Sequence, residues 1–538
     1  MLEQILAGMS SPYYRLGACK SIFQLLRKSN LTGFGFALSF GALLTGYFSG
    51  RFGRKPCLIA SGMIYVVGSI IQSVIGIGSS PAVALRVLYF SRFFAGIGVG
   101  MVSALIPSYV SECTPRSIRG RCTGMIQLAN NIGIMLSCAY FCHCDLCELS
   151  ASGTLVWVNY SVSKNHAPND MQWRIPLIVQ VIPGVLFIIF MLFQPESPRW
   201  LVEHEQYDRA AKTLAYIART SVDDEAVVAT LNEIKADFVG KHALSTWAQF
   251  KKMGESRSTA LRCFIPSLLM FFQQWTGTNA INYFSPQIFA GLGISGTTSG
   301  LFATGVYGVV KVISVSLVLA FAVEGLGRKN CLMIGGLGQA LNMIWIGGYS
   351  GIHPQKTIVP ASYVSIVAVY LYAVFYCIGW GPVPWVVASE TAPNHVRTAA
   401  LSIAVAVNWL FSLTISRVTP NMLNNITYGT FLLFGVFCLI MVVWVYIFLP
   451  ETAGVALEDI RFLFDKDVVV RALQDAPGGH VLLRGRRAIP ITELKKAALE
   501  ERDGPASIGD GTEFQDEQSI DHMGPKSTLR SYTDVPII

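Results

Sequence analysis

Charge is what this chain has least of. Asp, Glu, Lys and Arg make up 14% of its 538 residues, and the mean hydropathy is +0.48. A soluble chain carries roughly a quarter charged residues, so the composition excludes a soluble globular protein and points to a lipid bilayer as its solvent. The apolar runs hold few carboxylates, no nucleophile motif and no His/Cys/Asp cluster suited to facing helices, so neither an enzyme nor a bound cofactor is expected. The net charge of +8 calls for no nucleic-acid partner. Lys and Arg gather in short loops between apolar runs, as the positive-inside rule expects. Nor do the 12 cysteines form a secreted disulfide pattern. Cys57, Cys113, Cys122, Cys263, Cys331, Cys377 and Cys438 sit singly in or beside apolar runs, as small buried hydrophobes do.

What is present is a series of apolar runs near the ~20 residues that an α-helix needs to cross a bilayer. Eleven spans are predicted, at 31–49, 57–77, 84–110, 122–142, 174–194, 261–291, 298–323, 330–350, 362–389, 397–420 and 428–449. The fold class is therefore all-α and integral to the membrane. The parts read as an N-terminus (1–30), an N-terminal bundle (31–194), a polar segment (195–260), a C-terminal bundle (261–450) and a tail (451–538). In the polar segment, Ser221 to Asp224 resembles a capping box ahead of Val227, Leu231 and Ile234, which predicts an amphipathic helix on the membrane surface. The tail is rich in charge, Gly and Ser, a composition that predicts disorder over most of it.

The two halves repeat a charge pattern. Gly46-Tyr-Phe-Ser-Gly-Arg51-Phe-Gly-Arg54-Lys55 follows the first span, and Glu324-Gly-Leu-Gly-Arg328-Lys329 occupies the matching place far downstream. Each is followed by more apolar spans and then by a Pro, a Glu and an Arg: Pro107, Glu112 and Arg119, then Pro384, Glu390 and Arg397. From Glu to Arg the spacing is 7 in both halves. A membrane chain with one internal repeat of this kind points to alternating access between two bundles. With Arg51, Arg54 and Lys55 in the cytoplasm, the basic loops, the 195–260 segment and the tail also fall inside. The glycosylation sequons at Asn30, Asn159 and Asn425 fall outside.

These blocks, in this order, resemble the sugar-porter family of the major facilitator superfamily over residues 31–465. The matching pieces are the Gly46–Lys55 loop, Arg92-x3-Gly96-x-Gly98-x-Gly100, Pro107-x-Tyr109-x-x-Glu112 and Pro195-Glu196-Ser197-Pro198-Arg199 in the first half. In the second half they are Gln273-Gln274-x-x-Gly277-x-Asn279-x-x-Asn282-Tyr283, Gly381-Pro-Val-Pro-Trp385 and Pro450-Glu451-Thr452. Ile281 to Pro286 and Gly308 to Lys311 look most like fungal quinate and sugar permeases. The resemblance implies two six-helix bundles, a small-molecule substrate at the midplane, import coupled to protons, a plasma-membrane location and a monomer. Symport of a sugar, of a uronic acid or of a quinate-like polyhydroxy acid is the expected function.

Sugars and cyclitols present hydroxyls, and amide side chains match these without placing a charge in the membrane. By resemblance, Gln127, Gln273, Gln274, Asn279, Tyr283 and Asn408 face the substrate, and Trp385 supplies a stacking surface. Gln273 and Asn279 lie nearly two helical turns apart, so one helix face can present both. The alternative is that such amides merely join neighbouring helices. Lys311 lies beside Val312, which takes the position where many hexose porters carry an Asn. A charge at mid-membrane is costly unless it meets water or a partner. Lys311 therefore either meets a substrate carboxylate or neutralises an acid on another helix. By resemblance, Arg92 belongs to the proton switch, where its approach to an acid lowers that acid's pKa. The charges at Arg51, Arg54, Glu112, Arg119, Glu196, Arg199, Glu324, Arg328, Glu390, Arg397 and Glu451 are expected to form a cytoplasmic latch between the bundles, built of exposed pairs weak enough to break.

The chain departs from the family in three places. Residues 1–30 contain no apolar run of 18 residues, so the family's first helix is missing, and with it the acid expected to partner Arg92. Between Arg119 and Glu196 the chain is 23 residues longer than between Arg397 and Glu451, with the surplus around Cys138, Cys142, His143, Cys144 and Cys147. A retained intron or a mispredicted exon explains this cluster better than a metal site does, and no metal is expected. Gly50 and Ala453 replace an Asp and a Lys of the family pattern. Two alternatives to transport follow: a nutrient sensor on a porter scaffold, or an inactive product of a faulty gene model. A sensor would carry a longer tail.

Overall fold

The computed structural model describes residues 19–74, 81–115, 118–136, 178–238, 246–282, 288, 297–322, 325–353, 360–393, 396–453, 455, 460–464 and 468–474. These residues are almost entirely helical. The first half contains α1 (Cys19–Phe52), α2 (Arg54–Val74), α3 (Pro81–Cys113), α4 (Arg119–Leu136) and α5 (Val181–Phe193). Four shorter helices follow: α6 (Pro198–Glu203), α7 (Tyr207–Ala218), α8 (Glu225–Phe238) and α9 (Thr246–Lys252). The second half contains α10 (Arg257–Trp275), α11 (Thr297–Leu317), α12 (Arg328–Ile352), α13 (Pro360–Ile378), α14 (Val383–Thr391), α15 (Arg397–Asn425) and α16 (Gly429–Phe448). A short helix, α17 (Val468–Gln474), packs on α16.

Six helices among the described residues are long and apolar enough to cross a membrane, and Val181–Phe193 and Gly305–Phe321 are shorter apolar helices. Their outer faces carry bare apolar side chains, such as Phe190, Phe193, Phe321 and Leu341, all more than 60% exposed. Water does not tolerate such a belt, whereas lipid does. Two differences from expectation stand out. α1 begins at Cys19, well ahead of the expected start at residue 31. The predicted span 261–291 breaks at Thr276–Gly277, where Gly277 takes φ +83°, and helix resumes at 278–282. The described residues of the tail include α17, where Ala472 is buried and its carbonyl accepts a hydrogen bond from Lys329 Nζ.

The polar segment is helical, as its pattern predicts. Val227, Leu231 and Ile234 are buried against Leu201 and Ala210 or lie beside them on one face. The cap is shifted, however. α8 starts at Glu225, and Asp224 Oδ1, not Ser221, accepts a backbone N–H, that of Ala226 at 2.9 Å. α6 starts with Pro198 in its first turn, and Ser197 Oγ accepts the Trp200 N–H at 3.4 Å.

Within the first half, α2 packs on α3 and α5, and α1 on α3. The Cβ that Gly100 lacks would fall 2.1 Å from the Leu38 carbonyl oxygen, so this glycine lets α1 and α3 touch backbone to backbone. In the second half α12 packs on α13 and α16, around a core that includes Leu269, Tyr372, Trp380 and Phe434. The halves meet where α1 and α3 lie on α15 and where α4 lies on α11. Ala42 and Ala104 of one half share a buried cluster there with Val405 and Ala406 of the other, flanked by Trp385 and Trp409.

Candidate functional site

The break at Gly277 shapes the centre of the second half. Gln273, ahead of the break, is buried and donates from Nε2 to the carbonyls of Trp380 (2.7 Å) and Gly381 (3.0 Å). Its Oε1 accepts from Asn408 Nδ2 at 2.8 Å. Beyond the break, Asn279 Nδ2 donates to Gln274 Oε1 and to Ser412 Oγ, the latter at 2.9 Å. Gln273 and Asn279 therefore do not share one continuous helix face. The bend sends Gln273 into the α13–α14 turn and pairs Gln274 with Asn279. Asn408 and Ser412 lie one turn apart on α15, and between them they hold both sides of the break.

Lys311 stands apart from this pair of bonds. It is 2% exposed, and its Nζ donates to Asn282 Oδ1 at 3.3 Å. Two ring faces lie over it, Tyr376 at 4.8 Å and Tyr307 at 5.3 Å from the ammonium. No carboxylate pairs with it among the described residues. The neighbouring Cys377 donates to the Lys311 carbonyl at 3.4 Å and receives Asn131 Nδ2 at 3.9 Å. Asn131 in turn receives Gln127 Nε2 at 3.5 Å. A polar thread thus runs from Gln127 on α4 to Lys311 on α11 across the junction of the halves. Trp385 is half-buried between two small-residue clusters, one holding Ala42 and Val405, the other Met270 and Leu401. Arg92 is half-buried, and its Nε has no hydrogen-bond partner among the described residues. Tyr283 lies outside the described residues.

The charged residues form two copies of one cluster. In the first, the Arg54 guanidinium meets Glu112 at 3.2 and 3.3 Å, and Ser108 and Ser197 donate to the same carboxylate. Glu196 accepts the N–H groups of Arg54 (3.0 Å), Lys55 (3.2 Å) and Ser197 (2.8 Å). In the second, Arg328 meets Glu390 at 2.9 Å, and Thr452 donates to Glu390 at 2.9 Å. Glu451 accepts the N–H groups of Arg328 (2.8 Å), Lys329 (3.0 Å), Thr452 (3.0 Å) and Ala453 (2.9 Å). Glu196 and Glu451 each cap a helix N-terminus, where orphan N–H groups favour an anion. Gly53 (φ +95°) and Gly327 (φ +85°) make the turns that bring those N–H groups round.

The clusters differ from the expected latch in two respects. Arg54–Glu112 and Arg328–Glu390 each lie within one half, and their side chains are at most 6% exposed. A pair so buried is costly to split, because removing one partner strands a charge. Across the halves, Arg397 acts electrostatically on Glu112, and Arg119 on Glu390. Arg119 Nε donates to Ser111 O at 3.1 Å and Arg397 Nε to Ala392 O at 3.4 Å, so both are held by backbone beside the opposing acid. Arg199 is buried and Arg51 is exposed, stacked over Phe52. Glu324 lies outside the described residues.

The repeated clusters, the broken helix and the amide-lined centre occupy a stretch that the sequence profile of the family described as "Sugar (and other) transporter" matches over residues 31–464. The chain is a sugar porter of the major facilitator superfamily. It is 34% identical to the quinate permease of Emericella nidulans over 442 residues, covering 80% of this chain and 79% of that one. Against the quinate permease of Neurospora terricola the identity is 34% over 440 residues, covering 79% and 76%. Among solved structures, the proton:xylose symporter XylE bound to 6-bromo-6-deoxy-D-glucose superposes with a TM-score of 0.72 at 25% identity, covering 86% of this chain and 94% of XylE. The fit falls to 0.60 against inward-open XylE from E. coli. The backbone therefore superposes better on the first of these structures than on the inward-open one. The porter is a multi-pass membrane protein, as its composition requires.

Sequence reasoning did not single out Asn131, Ser412, Tyr307, Tyr376 or Glu203 in this porter. Glu203 lies 3.9 Å from Arg54 Nη1, and burial pushes its carboxyl above the usual range despite that positive neighbour. None of these carries a motif; each is brought to its place by packing. Of the three sequons, Asn30 falls inside α1, not in the loop expected for a glycan. Asn425 ends α15 and is exposed, and Asn159 lies outside the described residues, as does the Cys138–Cys147 cluster. No metal-holding group of His, Cys, Asp and Glu occurs among the described residues.

Proposed function

We propose that this porter imports a polyhydroxy acid, quinate or a uronic acid in class, together with protons, by alternating access. Hexoses are the second substrate class. The observation that carries the acid is Lys311. Among the described residues the buried Lys311 ammonium meets an amide oxygen and two ring faces but no carboxylate, and so is under-compensated. A substrate carboxylate supplies the missing charge, and the quinate permeases it resembles bear names that fit such a ligand. Gln127, Gln273, Gln274, Asn279, Tyr283 and Asn408 bind the hydroxyls, with Trp385 as the stacking surface. Arg92, whose Nε lacks a partner among the described residues, serves proton coupling. The two charged clusters hold the cytoplasmic face closed. Because their Arg–Glu pairs lie within the halves, the halves separate without splitting those pairs, and the attractions of Arg119 for Glu390 and of Arg397 for Glu112 are given up. The porter works as a monomer in the plasma membrane and catalyses no reaction.

The test is uptake of labelled quinate and labelled glucose by the full chain in cells without their own carriers. In Lys311→Asn, quinate uptake falls about 10- to 100-fold, the equivalent of one charged hydrogen bond worth roughly 1.5–3 kcal/mol, while hexose uptake is kept. Unchanged quinate uptake in that variant sinks the acid reading. Accumulation that survives a protonophore sinks the coupling.

A further inference from the structure

A cavity of about 480 Å³ opens beside the first charged cluster, where the end of α1 and the start of α2 meet α6 and α7. Lys55, Arg209 and Lys212 line it, with Glu196 as the acidic member and Phe52 and Trp200 as apolar walls. Its one carboxylate is already occupied, since Glu196 accepts three backbone N–H groups. The three cations keep donors without a partner among the described residues. Lys55 Nζ makes one hydrogen bond, to the Leu192 carbonyl at 2.8 Å, which leaves two of its three donors. Arg209 spends one N–H on Gln206 at 2.7 Å, and Lys212 is exposed. The cavity therefore carries excess positive charge with free donors.

The surroundings select the kind of anion. Leu192 and Phe193 close the apolar helix α5 and are 56% and 75% exposed, and Phe52 is 54% exposed. Such bare side chains suit the edge of a hydrocarbon layer, and Lys55, bonded to the Leu192 carbonyl, sits at that edge. That is the level at which anionic lipid headgroups meet basic residues. Trp200 spans the boundary, with its indole in the cavity wall and its Nε1 donating to the Gly50 carbonyl at 3.1 Å. From these positions we infer that the cavity is a binding site for the phosphate of an anionic phospholipid, whose chains lie along α1 and α5. A lipid seated there touches Lys55 and Trp200. It thereby braces the turn at Gly53 that positions Arg54 against Glu112.

The detergent-purified full chain, titrated with dioctanoyl phosphatidic acid while its thermal unfolding is followed, tests this. Each Lys or Arg near a lipid phosphate contributes about 1 kcal/mol, or about five-fold in affinity. Arg209→Ala with Lys212→Ala then weakens the apparent affinity about 30-fold, and Lys212→Ala alone about five-fold. Lys251→Ala with Lys252→Ala, an exposed basic pair that does not line the cavity, changes it less than two-fold. Dioctanoyl phosphatidylcholine and inorganic phosphate at equal concentration give no shift. The site is refuted if the Arg209/Lys212 variant binds as the parent does, or if the Lys251/Lys252 variant loses as much. An equal response to inorganic phosphate refutes the lipid as its occupant.

Discussion

Gly327→Ala tests whether the repeated turns exist to seat a carboxylate. At φ +85° an L-residue costs about 1–2 kcal/mol. The added Cβ would also stand 2.4 Å from Glu451 Oε2 and 2.8 Å from its Cδ. The side chain is flexible and can swing away, so the clash itself is cheap. Its consequence is not, because the carboxylate then leaves the N–H groups of Arg328 and Lys329, held at 2.8 and 3.0 Å. Bonds to a charged group are worth roughly 1.5–3 kcal/mol each. Glu451 is half-exposed, so water recovers part of that loss, and a net cost of about 3–5 kcal/mol is expected. The assay is the unfolding midpoint of the purified chain in a double-mutant cycle with Glu451→Ala. In the parent, Gly327→Ala lowers the midpoint by several degrees. In the Glu451→Ala background only the backbone strain of about 1–2 kcal/mol remains. The first half offers a replicate, since Gly53 has φ +95° and its Cβ would fall 2.5 Å from Glu196 Oε2. Penalties that add within about 0.5 kcal/mol at both turns would refute the argument.

Two further predictions concern groups outside the repeats. Burial raises the Glu203 carboxyl above its unfolded value, so the folded state binds the proton more tightly. Stability then falls as pH rises from the unfolded carboxylate pKa through the folded one. Glu203→Gln flattens that slope in midpoints measured from pH 4 to 8, and a slope identical to the parent's shows that Glu203 is not its source. Gln339 on α12 is fully buried, and neither amide atom finds a hydrogen-bond partner among the described residues. Gln339→Leu removes two unsatisfied polar atoms and raises stability by about 1–3 kcal/mol, visible as a higher unfolding midpoint; a lower midpoint shows that the amide has a partner.

The outline of the candidate site was legible because its parts are local. Gly327-Arg328-Lys329 and Pro450-Glu451-Thr452 announce a turn, a helix start and its capping acid in a few residues each. The amides at Gln273, Gln274 and Asn279 stand out because polar side chains are rare in apolar runs. What could not be read was which partner each would take. Gln273 and Asn279 look like neighbours on one helix until Gly277 breaks it. The Arg–Glu pairs look like a bond between bundles because sequence spacing does not say which side of an interface a side chain reaches.

Composition and repetition alone determined that this is a helical membrane protein with two related halves, since a bilayer admits few charges and any helix that crosses it must be about 20 residues long. The same chemistry repeated at the same spacing determined where the charged turns would lie. Only the tertiary structure decided that Arg54 and Arg328 are buried within their own halves, and that Arg397 and Arg119 act across the junction on Glu112 and Glu390. It alone placed Lys311 between Asn282 and two tyrosine rings with no carboxylate partner among the described residues. Those outcomes depend on how helices far apart in the chain rotate and pack, and hydrophobic patterning is silent on the rotation of a helix whose whole surface is apolar.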